Sequence, residues 1–123
     1  MRLISNGLIV LVAIEHIGFL ILEMFFWDHP IGQRIFGLTP EVSAASAALA
    51  ANQGLYNGFL AAGLIWGVVS ATRNVNMFFL VCIIIAGIFG ALTAKGSIIL
   101  FQGLPAFLAL AATLAVRQTD DGL

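Results

Sequence analysis

Ala50-Ala51-Asn52-Gln53-Gly54-Leu55-Tyr56-Asn57-Gly58-Phe59-Leu60-Ala61-Ala62-Gly63 is the stretch whose reading decides the fold. It lies inside a long apolar run, yet carries two Asn, a Gln and a Tyr, with neither charge nor proline. Helical periodicity orders these residues. Asn52 and Tyr56 are four apart, as are Gln53 and Asn57, so each pair stacks on successive turns and the four form one broad polar face. Gly54 and Gly58 share that spacing and leave a smooth groove where another backbone can approach closely. A polar face on a helix in lipid needs partners from protein, because lipid offers none.

The rest of the chain makes lipid the expected surroundings. Of its 123 residues, 61% are hydrophobic and 9% are charged, against about 25% charged in soluble domains. That is too little charge to clothe a water-facing surface. A net charge of −1 supplies no basic face for nucleic acid. The single Cys82 permits neither an internal disulfide nor a thiolate metal cluster. Arg2 followed by apolar residues resembles a secretory signal, but the run continues to Trp27 and contains Glu15, His16 and Glu23. A signal's apolar core is about 7–15 residues, so this run is read as a retained membrane helix.

Length and punctuation predict an all-α fold: one domain over 1–123, a polytopic integral membrane four-helix bundle. The first helix covers 3–27, with Trp27 as an interfacial anchor. The segment 28–38 is punctuated by Pro30, Gly32 and Gly37 but holds Ile31, Ile35, Phe36 and Leu38, as expected of a lid-like segment lying at the interface. Thr39-Pro40-Glu41 reads as a helix start: cap hydroxyl, first-turn proline, first-turn carboxylate. The second helix then covers 40–71, and 72–76 is a polar connection. The third helix covers 77–94, and the fourth covers 97–116 with Ser97 as its cap and a kink at Pro105. Gly63 and Gly67 read as a packing pair. Four spans place both termini on one side. Arg2, Arg73 and Arg117 lie there against Arg34 and Lys95 opposite, which orients the termini to the cytoplasm of a bacterial inner membrane.

Depth along these helices gathers the polar residues. Counted from the side opposite the termini, Glu23 lies about 6 Å in, Gln102 about 8 Å, and Glu15 and His16 about 17–18 Å. Asn52, Gln53, Tyr56 and Asn57 fall in the same half. The expected site is therefore one pocket lined by Glu15, His16, Glu23, Asn52, Gln53, Tyr56, Asn57 and Gln102, with 28–38 at its mouth. A charge at mid-membrane costs on the order of 2.5–3.5 kcal/mol, so such residues are functional by default. Glu15 and His16 are the candidates for proton transfer or catalysis. Plainer roles exist for each: Glu15 bonded to Asn57 or Tyr56, Glu23 snorkelling to water, the amides as interhelical glue. Glu-x-x-His spacing is missing, so no metal is expected, and no cofactor follows.

Glu15-His16, Leu22-Glu23-Met24 with Trp27, Phe36-Gly37-Leu38 and the whole of Ala51 to Gly63 closely resemble a family of small four-helix membrane proteins of bacteria and some fungi. That family is catalogued as a domain of unknown function. The resemblance covers essentially the whole chain and implies four transmembrane helices; it implies no activity, substrate or cofactor. A glutamate midway along the first of four helices is also similar to the small multidrug exporters, which work as dimers and exchange protons for lipophilic cations. The polar second helix, His16 and Glu23 depart from their pattern.

Four functional readings follow from the residues. The first is a pocket for a small amphipathic or lipid-like molecule, proton-linked through Glu15 and His16. The others are a proton-coupled transporter acting as a homodimer, an intramembrane enzyme modifying a lipid or quinone, and a scaffold whose polar residues only fix helix register. Membrane lipids are expected partners in all four.

Overall fold

The computed structural model describes residues 1–97 and 99–116. Among them all regular structure is helical: α1 (Arg2–Phe25), α2 (Pro30–Phe36), α3 (Pro40–Val69), α4 (Arg73–Thr93), a π-helix (Ile99–Gly103) and α5 (Leu104–Ala115). The all-α reading holds. Local chemistry sets most boundaries. Thr39 Oγ1 accepts the Val42 N–H at 3.3 Å, and Pro40 opens α3 as expected. His29 Nδ1 accepts the Ile31 N–H at 3.1 Å and starts α2. Gly37, at φ 65°, ends α2, and the Leu38 N–H returns to the Gln33 carbonyl at 2.9 Å. Ala71 plays the same part after α3 at φ 52°, with the Thr72 N–H on the Gly67 carbonyl at 2.9 Å.

Three expected boundaries are corrected. The segment 28–38 contains a helix of its own, because proline at the first position and glycine at the left-handed end frame two turns. Arg73 to Asn76 is the first turn of α4, not a loop. The fourth helix does not run evenly from Ser97. The Ser97 carbonyl accepts the Leu100 and Phe101 N–H groups at 3.1 and 3.3 Å, a π-helix follows, and α5 begins at Leu104. Pro105 is the physical reason. It has no N–H for the Phe101 carbonyl, and its ring crowds that carbonyl, so the wider π turn takes up the mismatch.

The chain divides into two compact units, Met1–Ala13 with Gly63–Leu123, and Ile14–Ala62. In the first, α4 packs against the π-helix and α5. Gly87 and Gly103 make this crossing close: a methyl built on Gly87 would stand 3.0 Å from the Gly103 nitrogen and 3.1 Å from its Cα. Gly63 faces the Phe79 ring and Gly67 faces Asn76, so both pack as expected. Ile9, Leu64, Leu80, Ile83, Ala106 and Ala109 are the fully buried apolar residues around them. In the second unit, the groove of Gly54 and Gly58 is filled by the chain's own α1. A methyl on Gly54 would meet Met24 Cγ at 2.6 Å and the Leu20 carbonyl oxygen at 3.2 Å, and Gly58 abuts the Leu20 side chain.

Two helices, α1 and α4, are long and apolar enough to cross a membrane, and only 22% of the apolar stretch of each is buried. Large apolar side chains stand outward, among them Leu3, Val69 and Leu92 at 85%, 81% and 82% exposure. The backbone contact at Gly87 is unforgiving, since Gly103 cannot rotate away as a side chain would. Gly87→Leu is expected to lower stability by about 1–3 kcal/mol, read as thermal unfolding in detergent. Gly7→Leu, where nothing lies within 4 Å, should leave it unchanged or raise it.

Candidate functional site

In the second unit, the Ile14–Phe25 part of α1 carries Glu15, His16 and Glu23 in an otherwise apolar stretch. Glu23 Oε2 accepts a hydrogen bond from Asn57 Nδ2 at 3.2 Å. The glycine face of α3 makes this contact, because Gly54 lies directly against the Cβ of Glu23. His16 is fully buried, and its ring stands edge-on to Phe19 with centroids 5.3 Å apart. Glu15 is half-buried. Its Oε1 is shielded from solvent and has no hydrogen-bond partner among the described residues.

Three other expected site residues of the same unit face outward. Asn52, Gln53 and Tyr56 are exposed on α3, with the Tyr56 ring edge-on to Phe59 at 5.8 Å. Gln102 belongs to the first unit, half-buried on the π-helix. The polar arc of α3 thus separates into an inward residue, Asn57, and an outward group. The glycines carried the signal for this. At about 100° per residue, Asn57 is the polar residue nearest the Gly54/Gly58 face, and Asn52 and Tyr56 are the farthest.

A second network ties the segment after α1 to the start of α3. Ser43, fully buried, donates from Oγ to Asp28 Oδ1 at 2.7 Å and accepts from Gln33 Nε2 at 3.0 Å. Trp27 Nε1 donates to Ser46 Oγ at 2.9 Å, and Ser46 donates onward to the Val42 carbonyl at 2.6 Å. The Trp27 ring also packs on Phe36, with centroids 4.7 Å apart. The segment 27–38 is therefore fastened by hydroxyls of the first turns of α3. Sequence reasoning missed this network; Ser43 and Ser46, three apart on that helix, are the signal that could have found it.

The first unit holds a polar cluster that helix-depth reasoning did not find. Ser5 and Thr113, 3% and 4% exposed, share a hydrogen bond of 2.8 Å. Thr113 Oγ1 donates to the Ala109 carbonyl at 2.8 Å, so Ser5 is the donor to Thr113. Arg73 donates from Nε and Nη2 to the Thr113 carbonyl at 3.3 and 3.2 Å, and from Nη2 to the Leu114 carbonyl at 3.4 Å. A cation thus meets the carbonyls that the end of α5 leaves open. Asn76 is 5% exposed, and its Oδ1 has no hydrogen-bond partner among the described residues. Beside these side chains is a cavity of about 80 Å³, also bordered by Arg2, Asn6 and Gly67. Among the described residues, no group of three or more His, Cys, Asp and Glu side chains is placed to hold a metal ion.

The chain belongs to the family described as "Protein of unknown function (DUF1304)", which matches residues 10–114. It is similar to "Uncharacterized protein YpaA" of Lactococcus lactis subsp. lactis (strain IL1403), at 35% identity over 114 residues, spanning 89% of this chain and 96% of that protein. No solved structure matches it.

The bond between Glu23 and Asn57 generates a test. Asn57→Leu strips a half-buried carboxylate of its partner and is expected to lower stability by about 1–3 kcal/mol. Removing both partners, in Glu23→Leu with Asn57→Leu, is expected to recover most of that loss, because no polar group is then left buried alone. A double-mutant cycle on thermal unfolding in detergent reads the coupling. Strictly additive losses would show that the contact contributes nothing.

Proposed function

We propose that this chain is a small polytopic membrane protein that binds a small amphipathic or lipid-like molecule beside Glu15. The membrane reading is supported by where the apolar residues lie. A soluble protein buries its most apolar helices, whereas α1 and α4 keep most of their apolar stretches outside. Leu3, Val69 and Leu92 face outward with no polar neighbour required of them in lipid. With α3 and the π-helix/α5 segment as the other two spans, both termini share one side, and the basic residues favour the cytoplasm of a bacterial inner membrane.

The observation that carries the binding reading is the Glu15 carboxyl group, whose Oε1 is buried without a partner among the described residues. An unmet carboxyl oxygen in apolar surroundings is costly, and a hydroxyl or ammonium group on a bound molecule removes that cost. His16, the next residue, is positioned on the same helix to exchange a proton with whatever binds there. The fastened segment around Trp27 and Phe36 then covers the same unit as a lid. A second reading draws on the outward group. Asn52, Gln53 and Tyr56 would face lipid on a lone chain, and a second copy of the chain would supply them with polar partners.

Native mass spectrometry of protein extracted gently from its own membrane tests both. The wild type is expected to carry a defined small-molecule mass that Glu15→Gln loses, since the amide cannot accept a proton or hold a cation. The same adduct on both proteins, or bare protein in both, would count against the pocket. A dimer that Gln53→Leu dissociates would support the second reading.

A further inference from the structure

We propose that the outward face of α3 is the seat of a symmetric dimer, in which two copies of the chain run parallel and Asn52 of one meets Asn52 of the other across a two-fold axis. The inference rests on the membrane reading and on the second-copy reading above, and gives that contact its central residue and its symmetry. Ser43, Ala50, Gly54 and Ala61 are buried and mark the packed side of α3, where Gly54 lies against α1. At about 100° per residue, Asn52 points about 160–180° away from each of the four. Ala45 and Phe59, seven residues before and after Asn52, are exposed as it is. A step of seven returns to nearly the same direction, so these three residues form one line along the open side.

An amide is its own complement, because it carries both a donor and an acceptor. Across a two-fold axis each Nδ2 donates to the Oδ1 of the other copy, so one residue type satisfies both chains. The face is also free of charge. After Glu41, α3 holds no Asp, Glu, Lys or Arg, so two identical faces meet without like-charge repulsion. Gln53 and Tyr56, both exposed, flank the pair with further donors and acceptors. The Asn side chain is short, and its bond needs the two backbones close. Ala45 and Ala48, exposed in the two turns before Asn52, leave that room. An outward helix face is convex, which suits a second helix of the same length better than an enclosed small molecule.

The parallel arrangement follows from insertion. Copies of one chain carry the same basic residues and enter the membrane the same way round, so their α3 helices run in one direction and the two-fold axis lies along the membrane normal. Each residue of the face then lies level with its own counterpart. A single polar residue in such a line fixes the register of paired helices, here Asn52 on Asn52. In an antiparallel pair centred on Asn52, Ala45 would instead meet Phe59.

The test uses the full chain with Cys82→Ala and one added cysteine, oxidised by copper phenanthroline in the membranes of the expressing cells. Ala45→Cys and Ala48→Cys are each expected to give a disulfide-linked dimer. Ile21→Cys, exposed on α1, is not, because α1 packs on the opposite side of α3. Sedimentation equilibrium in detergent then reads the strength of association. Asn52→Leu is expected to weaken the dimer about tenfold, the order of effect of one interhelical hydrogen bond. Asn52 is exposed on the single chain, so the variant is expected to fold. Glu15→Gln should leave association unchanged, which separates the dimer from the pocket proposed above. A chain that alkaline carbonate strips from the membrane overturns the membrane reading and this inference with it. A chain that stays in the membrane as a monomer overturns this inference alone, and a small-molecule mass on that monomer, lost in Asn52→Leu, gives the face to a ligand. Cross-linking of Ala45→Cys to Phe59→Cys in coexpressed copies, or full association of Asn52→Leu, overturns it as well.

Discussion

Thr113 is the joint on which the first unit depends. Its hydroxyl receives Ser5 from α1 and donates to Ala109 within α5, while its carbonyl accepts Arg73 at the start of α4. Three helices therefore meet in one residue that is 4% exposed. The arrangement solves a general difficulty of apolar helices. The last carbonyls of α5 have no donor within their own helix, and apolar surroundings supply none. A guanidinium brought by the first residue of another helix meets them. Packing then has only to hold the helices close, which the contact of Gly87 with Gly103 and the Gly63 seat for Phe79 accomplish.

The second unit obeys the same constraint with different groups. Apolar side chains such as Leu20 and Met24 meet the glycine face of α3, and that approach is what brings Glu23 within reach of Asn57. The fastening of 28–38 has equal logic. Asp28, Gln33 and Trp27 are polar groups on a segment rich in apolar residues, and each is met by a serine of α3 or its neighbour in the chain. Small residues at the start of α3 serve two ends here: they let the segment lie close, and two of them carry the hydroxyls that hold it.

Much of this was legible in the residues, and the misses have physical causes. Thr39-Pro40-Glu41 announced α3 because capping is local chemistry between neighbours in sequence. The glycines announced close packing because only a missing side chain permits it. Arg73 and Asn76 were read as a loop because polarity near a turn resembles solvent exposure; their burial comes from Thr113 and Gly67, distant in the chain. The pairing of Ser5 with Thr113 joins residues 108 apart, and no local pattern encodes such a contact. Pro105 marked a disturbance, yet a kink and a π turn both answer a missing N–H, so the proline alone does not say which forms.

The polar arc of α3 shows what periodicity can and cannot decide. Spacing grouped Asn52, Gln53, Tyr56 and Asn57 correctly on adjoining turns, but an arc that wide spans both the packed and the open side of a helix. The glycine groove breaks the tie. Where α1 enters it, Asn57 is carried inward to Glu23, and the remaining three are turned out. Asn52, Gln53 and Tyr56 thus stand near Leu49 and Phe59 on the open side of the helix, where packing against α1 places no demand on them. Lipid supplies no polar partner for such a face, so under the proposed membrane reading it is where a ligand or a second chain would bind.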